Sequence, residues 1–217
     1  MYRKALFTTL LVVLVLVVAA CQPVAVTQDG EAGTVEHFLG VAQPFTGPLG
    51  SFGTDFGKGI ELAVIQMNAE LEAAGSPERF KTASSDTEGT PDGAAKAVQT
   101  ITQSSGAEVV VGPLTTGEVL GAKQFADDNQ IVLVAPASSA PSGAIPGDNI
   151  FRVMYPPDTF AGQAFEQIAL ARGYENIAIL QVDDPFGNGL ADLFAQGFQD
   201  AGGGEVAIVK YAPEPTD

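Results

Sequence analysis

The sequence predicts an α/β protein in which parallel β-strands are covered by helices on both faces. Short aliphatic runs, such as Val109–Val111 and residues 131–135, lack the alternation of polar and apolar residues that marks a half-exposed strand. Each run is followed by a segment whose apolar residues recur at helical spacing. Alternation of these two patterns along a chain is typical of sheets built from strand–helix–strand units.

The first half of the chain contains four predicted strands and three predicted helices. The strands cover residues 35–45, 80–84, 109–111 and 131–135. The apolar positions that predict the first helix are Ile60, Val64, Met67 and Leu71. This helix ends at Gly75, the second begins at Pro91, and the third covers residues 115–128. The Gly- and Pro-rich residues 46–53 are predicted to form a loop before the first helix.

After residues 136–149, which are rich in Ala, Ser, Pro and Gly, the pattern restarts. Strands are predicted at residues 150–155, 177–182 and 206–211, and the first intervening helix begins at residues 156–158 and ends at Gly173. The second helix ends at the glycines 202–204, and residues 212–217 are predicted to form a loop. A parallel sheet of three strands leaves an edge and a helical layer incomplete, so we expect the natural protein to be longer than this chain.

The N-terminus has the pattern of an export signal. Arg3 and Lys4 precede an aliphatic run at residues 6–18, which is shorter than the roughly 20 apolar residues of a membrane-spanning helix. Residues 18–21, Val-Ala-Ala-Cys, resemble the lipobox of bacterial lipoproteins, in which the cysteine is lipidated and the chain is cut before it. The alternative is an uncleaved single-pass anchor with a chance cysteine.

These patterns divide the chain into four segments. Residues 1–20 are expected to be a lipoprotein signal peptide, with Cys21 as the lipidated residue. Residues 21–34 are polar and lack periodicity, and are expected to be a flexible tether. Residues 35–148 are expected to form a first lobe and residues 149–217 part of a second lobe.

Composition excludes several classes of function. The formal net charge is −16, which disfavours binding to nucleic acid or to anionic lipid. One cysteine excludes an internal disulfide and a cysteine-rich zinc site. A catalytic triad or a multi-histidine metal site would have to depend on His37, the one histidine of the sequence, which falls on a predicted core strand.

The third helix has an unusually well specified start. Thr115 and Glu118 have the spacing of a capping box, which places Thr116 and Gly117 on the first helical turn. Strand-to-helix junctions of a parallel sheet lie at one edge, where free N–H groups and the helix dipole favour a negatively charged group. Residues 135–139, Ala-Pro-Ala-Ser-Ser, follow the next strand and bring further hydroxyls to that edge. The sequence therefore predicts a carboxylate site at this edge, although each hydroxyl residue is also consistent with an ordinary cap or turn.

Other motifs are weaker. Residues 57–59, Gly-Lys-Gly, do not fit the spacing of a phosphate-binding loop. Asp86, Glu88 and Asp92 do not have the order of a calcium-binding loop and are interpreted as a solvated acidic loop. Phe52 and Phe186 each fall in a predicted glycine-rich loop, where they could form the two walls of an apolar slot or pack against a neighbouring helix.

Six motifs occur in the order and at the spacing found in one known family. They are residues 46–53, 67–68, 86–87, 111–113, 135–139 and 186–190. From Val35 to Asp217 the chain resembles the leucine/isoleucine/valine-binding protein family, the type I periplasmic substrate-binding proteins of branched-chain amino-acid ABC transporters. The resemblance implies two Rossmann-like lobes with parallel sheets that close on a ligand, with the second lobe incomplete in this chain.

The resemblance also implies roles for particular residues. Thr116 corresponds to the hydroxyl residue that binds the ligand carboxylate, and Ala137 offers a carbonyl to the ligand ammonium. Ser139 corresponds to a hydroxyl residue that contacts both charged groups, and Ser138 adds a hydroxyl beside it. Two further groups of positions complete the implied pocket: Leu114 and Thr115, which line it, and Phe52 and Phe186, which form its aromatic walls.

The sequence departs from the family at two places. Gly89 and Thr115 occupy positions where some members have a disulfide, so that link is absent here. The acidic residue of the second lobe that neutralises the ligand ammonium would lie after Asp217, which leaves the selectivity for the ligand open.

The expected function is therefore capture of a small amino acid or amide by an extracytoplasmic, lipid-anchored binding protein of an ABC importer. The expected partners are the ligand, an ABC permease and, through Cys21, a membrane of the cell envelope. We expect a monomer with no cofactor, no metal and no catalytic residues. Two alternatives stay open from the sequence: a ligand-sensing envelope lipoprotein that acts in signalling, and an envelope hydrolase.

Overall fold

A computed structural model describes residues 33–153 and 158–213. Residues 34–217 form one compact unit of the chain. The predicted signal peptide, Cys21 and the tether up to residue 32 lie outside the described residues. Within the described residues, no helix combines the length and the apolar character needed to cross a membrane.

Strands and α-helices alternate along most of the described residues. The strands are β1 (Val35–Gln43), β2 (Glu78–Asp86), β3 (Val109–Val111), β4 (Val132–Ala135), β5 (Ile150–Arg152), β6 (Ile177–Val182) and β7 (Val206–Tyr211). The helices are α1 (Gly50–Ala73), α2 (Pro91–Ser105), α3 (Thr116–Asp128), α4 (Asp158–Ala171) and α5 (Pro185–Asp200). A single 3₁₀ turn, Pro141–Gly143, lies between β4 and β5.

The first lobe is a parallel sheet with the strand order β2-β1-β3-β4-β5. On one face, Ala42, Val110 and Leu133 of three neighbouring strands pack against the apolar sides of α2 and α3. Helix α1 packs against β1 and β2. The chain therefore covers the sheet by the alternation of short aliphatic strands and amphipathic helices that the sequence predicts.

The second lobe contains the parallel pair β6 and β7 with helices α4 and α5. Its core is formed by Ala169, Phe194 and Phe198, and the two phenyl rings stack with their centroids 5.6 Å apart. Strands β3, β6 and β7 have the predicted bounds. Residues 154–155 of the predicted strand 150–155 lie outside the described residues.

Helix α1 differs from the prediction because it begins at Gly50, about three turns before the first residue that shows helical spacing. Gly50 and Gly53, which suggested a loop, lie within this helix, and Gly53 and Gly57 are positions of close contact. A Cβ atom on Gly53 would lie 2.2 Å from the carbonyl oxygen of Pro44, and one on Gly57 would lie 3.0 Å from the ring of Phe45. Glycine at these two positions lets the helix pack directly on the segment that follows β1.

The strand at Ile150 also differs from the predicted division of the chain. Residues 35–148 were expected to form the first lobe, but β5 pairs with β4 through Leu133 and Ile150, Val134 and Phe151, and Ala135 and Arg152. The first sheet therefore includes residues 150–152. A strand of three residues carries no sequence signal for which sheet it joins, because pairing depends on the path of the preceding loop.

Candidate functional site

The strand order of the first lobe places a crevice at the carboxyl ends of β1 and β3. The chain leaves β1 towards β2 on one side and continues from β3 towards β4 on the other, which makes this the point where the winding direction reverses. In open parallel sheets, ligands bind in the crevice at such a point. The segments that follow β1, β3 and β4 border it.

The segment after β3 crosses the end of β1 at very close range. Gly112 has a φ of 126°, and a Cβ atom there would lie 1.9 Å from the carbonyl oxygen of Ala42. Glycine is therefore required at this position. The fully buried side chain of Gln43 donates a hydrogen bond to the carbonyl of Val111 at 3.2 Å, which joins the same two strand ends.

The predicted capping box at the start of α3 is confirmed. The Thr115 hydroxyl accepts a hydrogen bond from the Glu118 N–H at 3.3 Å, and the Glu118 carboxylate accepts one from the Thr115 N–H at 2.8 Å. The other carboxylate oxygen of Glu118 accepts a hydrogen bond from the hydroxyl of Thr87. Glu118 is completely buried, and each of its oxygens has a donor. The first turn of α3 is therefore fixed to the segment that follows β2.

The Thr116 hydroxyl lies at the centre of a buried hydrogen-bond group. Its oxygen is 3.0 Å from the hydroxyl oxygen of Ser138 and accepts a hydrogen bond from the Ala140 N–H at 3.3 Å. The exposed fractions of Thr116 and Ser138 are both 1%. When Ser138 donates to Thr116, the hydrogen of the Thr116 hydroxyl stays available to a further acceptor.

The loop that carries Ser138 is held in place by a cation. Nη1 of Arg152 donates hydrogen bonds to the carbonyl of Ala140 at 2.6 Å and to that of Ser138 at 3.4 Å. Arg152 is the last residue of β5, so pairing of β5 with the first sheet delivers the guanidinium to this loop. Residues 138–140 are thereby fixed between α3 and β5.

The structure brings some of the predicted site residues together. Among the predicted hydroxyl residues Ser138 and Ser139, it is Ser138 whose hydroxyl meets that of Thr116. Ser139 is buried, and its carbonyl accepts a hydrogen bond from the Asp158 N–H at 3.5 Å. Leu114 is buried beside the capping box, and Ala137 is half-buried.

Thr116 is also covered from one side by the 3₁₀ turn. A Cβ atom on Gly143 would lie 3.0 Å from the Thr116 methyl group and 3.4 Å from the Ser138 hydroxyl oxygen. The expected edge with freely accessible hydroxyls is therefore closed in this structure.

The two predicted aromatic wall residues lie on helices rather than on loops. Phe52 is in the first turn of α1 and Phe186 in the first turn of α5, and their exposed fractions are 59% and 42%. Phe186 also borders a cavity of about 480 Å³ on the second lobe, together with β6 and with Leu190 and Phe194 of α5. Both rings are exposed enough to contact a ligand.

The starts of α3 and α5 lie close together across the two lobes. A Cβ atom on Gly117 would lie 3.5 Å from Cδ of Pro185, the first residue of α5. The Asp184 carboxylate caps α5 by accepting a hydrogen bond from the Gly187 N–H at 2.7 Å. Neighbouring Asp183 accepts a hydrogen bond from Asn188, which together with the positive charge of Lys210 lowers the pKa of Asp183.

The other residues considered in the sequence analysis, His37 and Asp86, contact neighbouring protein groups. His37 lies on β1 as predicted, but its side chain is exposed rather than in the core and contacts the carboxylate of Glu78. Asp86 accepts hydrogen bonds from backbone groups and is not a simple solvated residue. Among the described residues, no cluster of His, Cys, Asp and Glu has the arrangement of a metal site.

Comparison with known proteins identifies the family of the chain. The family model described as "Periplasmic binding protein" matches residues 37–217. The chain belongs to this family. Among the curated relatives of this chain is the Leu/Ile/Val-binding protein homolog 3 of Brucella melitensis, 28% identical over 180 residues. That alignment covers 82% of this chain and 48% of the relative.

Solved structures confirm the type I periplasmic binding protein fold. The leucine-binding protein LivK of Thermotoga maritima has a TM-score of 0.73 at 23% identity, over 83% of this chain and 50% of that one. A solute-binding protein of Rhodopseudomonas palustris in complex with 4-hydroxybenzoate has a TM-score of 0.73 at 18% identity, over 84% and 49% of the two chains. The chain thus spans about half the length of the relatives it matches. The resemblance stated from the sequence is confirmed, as is the predicted α/β fold.

Three residues of the site escaped the sequence analysis as functional groups: Arg152, Thr87 and Asp158. Arg152 is a lone cation at the end of a short strand, and Thr87 lies in a segment interpreted as a solvated acidic loop. Asp158 follows two prolines and was interpreted as the start of a helix. In the folded chain, Arg152 and Asp158 contact the loop at 138–140, and Thr87 contacts Glu118 at the start of α3. These contacts are visible only in the structure.

Proposed function

We propose that this chain is the solute-capturing part of an extracytoplasmic lipoprotein that serves an ABC importer. It binds a small amino acid of the branched-chain type, or a related amide, between its two lobes. Cys21 carries the lipid anchor, and a membrane permease receives the ligand from the protein, which acts as a monomer. No chemical reaction on the ligand is involved.

The observation that carries this proposal is the position of Thr116. It lies on the first turn of a firmly capped helix, beside Ser138, and at the point where the start of α5 approaches from the second lobe. Free N–H groups and the helix dipole favour a carboxylate at this place. The membership of the chain in the periplasmic binding protein family supports the same interpretation.

Binding uses the hydrogen of the Thr116 hydroxyl. When Ser138 donates to Thr116, the Thr116 oxygen accepts from Ser138 and from the Ala140 N–H, and its own hydrogen is available to a ligand. A ligand carboxylate accepts a hydrogen bond from the Thr116 hydroxyl after the turn at Pro141–Gly143 has moved aside, and the second lobe then closes over the ligand. Each charge-assisted hydrogen bond contributes about 1.5–3 kcal/mol, and burial of an apolar side chain adds roughly 25 cal/mol per Å².

The choice of an amino acid over an aromatic acid rests on the curated relatives. The Brucella melitensis relative is named as a Leu/Ile/Val-binding protein, whereas the Rhodopseudomonas palustris structure holds 4-hydroxybenzoate. Both ligand classes have a carboxylate, so the proposed role of Thr116 is the same for each. The amino group, which only the first class has, requires a further partner.

The test is the replacement Thr116→Ala in the purified gene product. We expect its affinity for L-leucine, measured by isothermal titration calorimetry, to fall at least about tenfold, since a charge-assisted hydrogen bond is lost. Thr102→Ala is the matched control, because the Thr102 hydroxyl bonds only to the carbonyl of Val98 within α2. Unchanged affinity in Thr116→Ala, or an equal loss in the control, contradicts the proposed site.

A further inference from the structure

Asp158 is a buried carboxylate that lacks a complete set of partners. Its exposed fraction is 4%, and its Oδ2 atom is buried without a hydrogen-bond donor in the described part of the protein. Burial of a charged oxygen without a donor is costly, so such groups normally acquire one. The Oδ2 atom of Asp158 therefore has the capacity to accept a further hydrogen bond.

The other acidic side chains of the first-lobe site differ from Asp158 because their carboxylate oxygens have hydrogen-bond donors. Both oxygens of Glu118 have donors, and Asp86 accepts hydrogen bonds from several N–H groups. Arg152, the cation of the 138–140 loop, directs Nη1 to the carbonyls of Ser138 and Ala140. No ion pair of the described residues includes Asp158.

The position of Asp158 connects it to the proposed ligand site. The Asp158 N–H donates a hydrogen bond to the carbonyl of Ser139 at 3.5 Å. Ala140, which follows Ser139 in the chain, donates its N–H to the Thr116 hydroxyl. Asp158 is the first residue of α4, which belongs to the second lobe. The backbone of Asp158 thus lies at the junction of the two lobes and contacts Ser139, the neighbour of the residue whose N–H contacts Thr116.

We propose that the Asp158 carboxylate receives the ammonium group of an amino-acid ligand whose carboxylate is bound at Thr116. This inference rests on the proposed function. It supplies, within this chain, an anionic partner for the ligand, in addition to the acidic residue that the family resemblance implies after Asp217. It also makes Asp158 a residue that selects amino acids against acids that lack an amino group.

The experiment removes the amino group from the ligand and the negative charge from Asp158, separately and together. L-leucine and 4-methylpentanoate, which is leucine without its amino group, are titrated into the wild-type protein and into Asp158→Asn. We expect the variant to lose roughly 10- to 100-fold in affinity for L-leucine, because a charge-assisted contact becomes a weaker neutral one. Its affinity for 4-methylpentanoate should stay the same or rise, since the buried negative charge no longer opposes an anion without an ammonium group.

A second measurement separates ligand recognition from structural support. The midpoint of urea unfolding without ligand should stay the same or rise in Asp158→Asn, because removal of an uncompensated buried charge does not weaken the fold. Asp148→Asn is the matched control: Oδ2 of Asp148 is also buried without a hydrogen bond, but it lies 3.9 Å from the Lys123 ammonium. This control should leave the affinity for L-leucine unchanged.

Several outcomes overturn the inference. Equal losses of affinity for both probes, or a lower unfolding midpoint in Asp158→Asn, make the residue a structural support. Unchanged affinity for L-leucine in Asp158→Asn, with a loss in Thr116→Ala, overturns the role of Asp158 and leaves the proposed function standing. A wild-type protein that binds 4-hydroxybenzoate but no amino acid overturns the role of Asp158 and the proposed amino-acid ligand, while the carboxylate site at Thr116 stands.

Discussion

Asp86 shows how one side chain fixes the segment that borders the candidate site. Its Oδ1 atom accepts hydrogen bonds from the N–H groups of Phe45 at 2.9 Å, Thr46 at 3.3 Å and Glu88 at 2.8 Å. Its Oδ2 atom accepts one from the Thr46 hydroxyl at 2.6 Å. Burial raises the pKa of Asp86, but these hydrogen bonds outweigh that effect and lower the pKa below its ordinary value.

A pH dependence follows from this lowered pKa. The folded protein binds the Asp86 proton more weakly than the unfolded chain does, so the carboxylate stabilises the fold above about pH 4 and stops doing so as the pH falls through the folded-state pKa. We expect Asp86→Asn to lower the free energy of unfolding at pH 7 by about 1–3 kcal/mol. In urea titrations, the difference from the wild type should shrink as the pH is lowered from 7 to 3.

The control for this prediction is Asp55→Asn. The Asp55 side chain is 77% exposed and pairs with Lys58 on the surface, so its replacement should change stability very little. A difference between the wild type and Asp86→Asn that stays constant across this pH range contradicts the assigned role of the Asp86 carboxylate.

At the same scale, the sequence predicted residue types better than residue pairs. Thr115 and Glu118 were correctly predicted to form a capping box, because that interaction depends on a fixed spacing within one helix. The contact of the Ser138 hydroxyl with Thr116 was not predictable, because it depends on how the loop after β4 turns. The course of this loop depends on Arg152 and on the turn at Pro141–Gly143. Neither shows, in the sequence alone, that it contacts the loop.

At the scale of elements, the start of α1 marks the limit of sequence patterns. Glycines normally disfavour helix interiors, which is why residues 46–53 predicted a loop. In the structure, Gly53 and Gly57 allow the helix to approach residues 44–45 more closely than any side chain would permit. Tertiary packing therefore overrides local propensity here, whereas β3, β6 and β7 were predictable because short aliphatic runs depend little on their surroundings.

Two glycines of α1 should respond in opposite directions to the same replacement. Gly53→Ala places a Cβ atom 2.2 Å from the carbonyl oxygen of Pro44, so the helix must shift, and we expect a loss of about 1–3 kcal/mol in the free energy of unfolding. A Cβ atom on Gly59 meets nothing within 4 Å, so Gly59→Ala should raise stability by about 1 kcal/mol through helix propensity. Urea denaturation of both variants checks this, and changes of the same sign contradict the packing of α1 described above.

The two lobes meet where two helices begin. Thr115 caps α3 and Asp184 caps α5, and the Gly117 position faces Pro185 across the lobes. Each helix start is held in place because its capping side chain binds one N–H group of the first turn, that of Glu118 in α3 and that of Gly187 in α5. The approach of one lobe to the other is therefore limited by the size of the residue at position 117, and closure over a ligand is expected to depend on it.

Replacement of Gly117 by residues of increasing size tests this dependence. A Cβ atom there would lie 3.5 Å from Cδ of Pro185, which is an ordinary contact, so Gly117→Ala should keep the affinity for L-leucine and serve as the control. Gly117→Trp cannot fit against Pro185 without separating the helix starts. We expect its affinity for L-leucine to fall by roughly tenfold or more, because closure then costs free energy that binding must supply. Small-angle X-ray scattering at saturating L-leucine should give a larger radius of gyration for Gly117→Trp than for Gly117→Ala, and equal radii with equal affinities contradict closure through this contact.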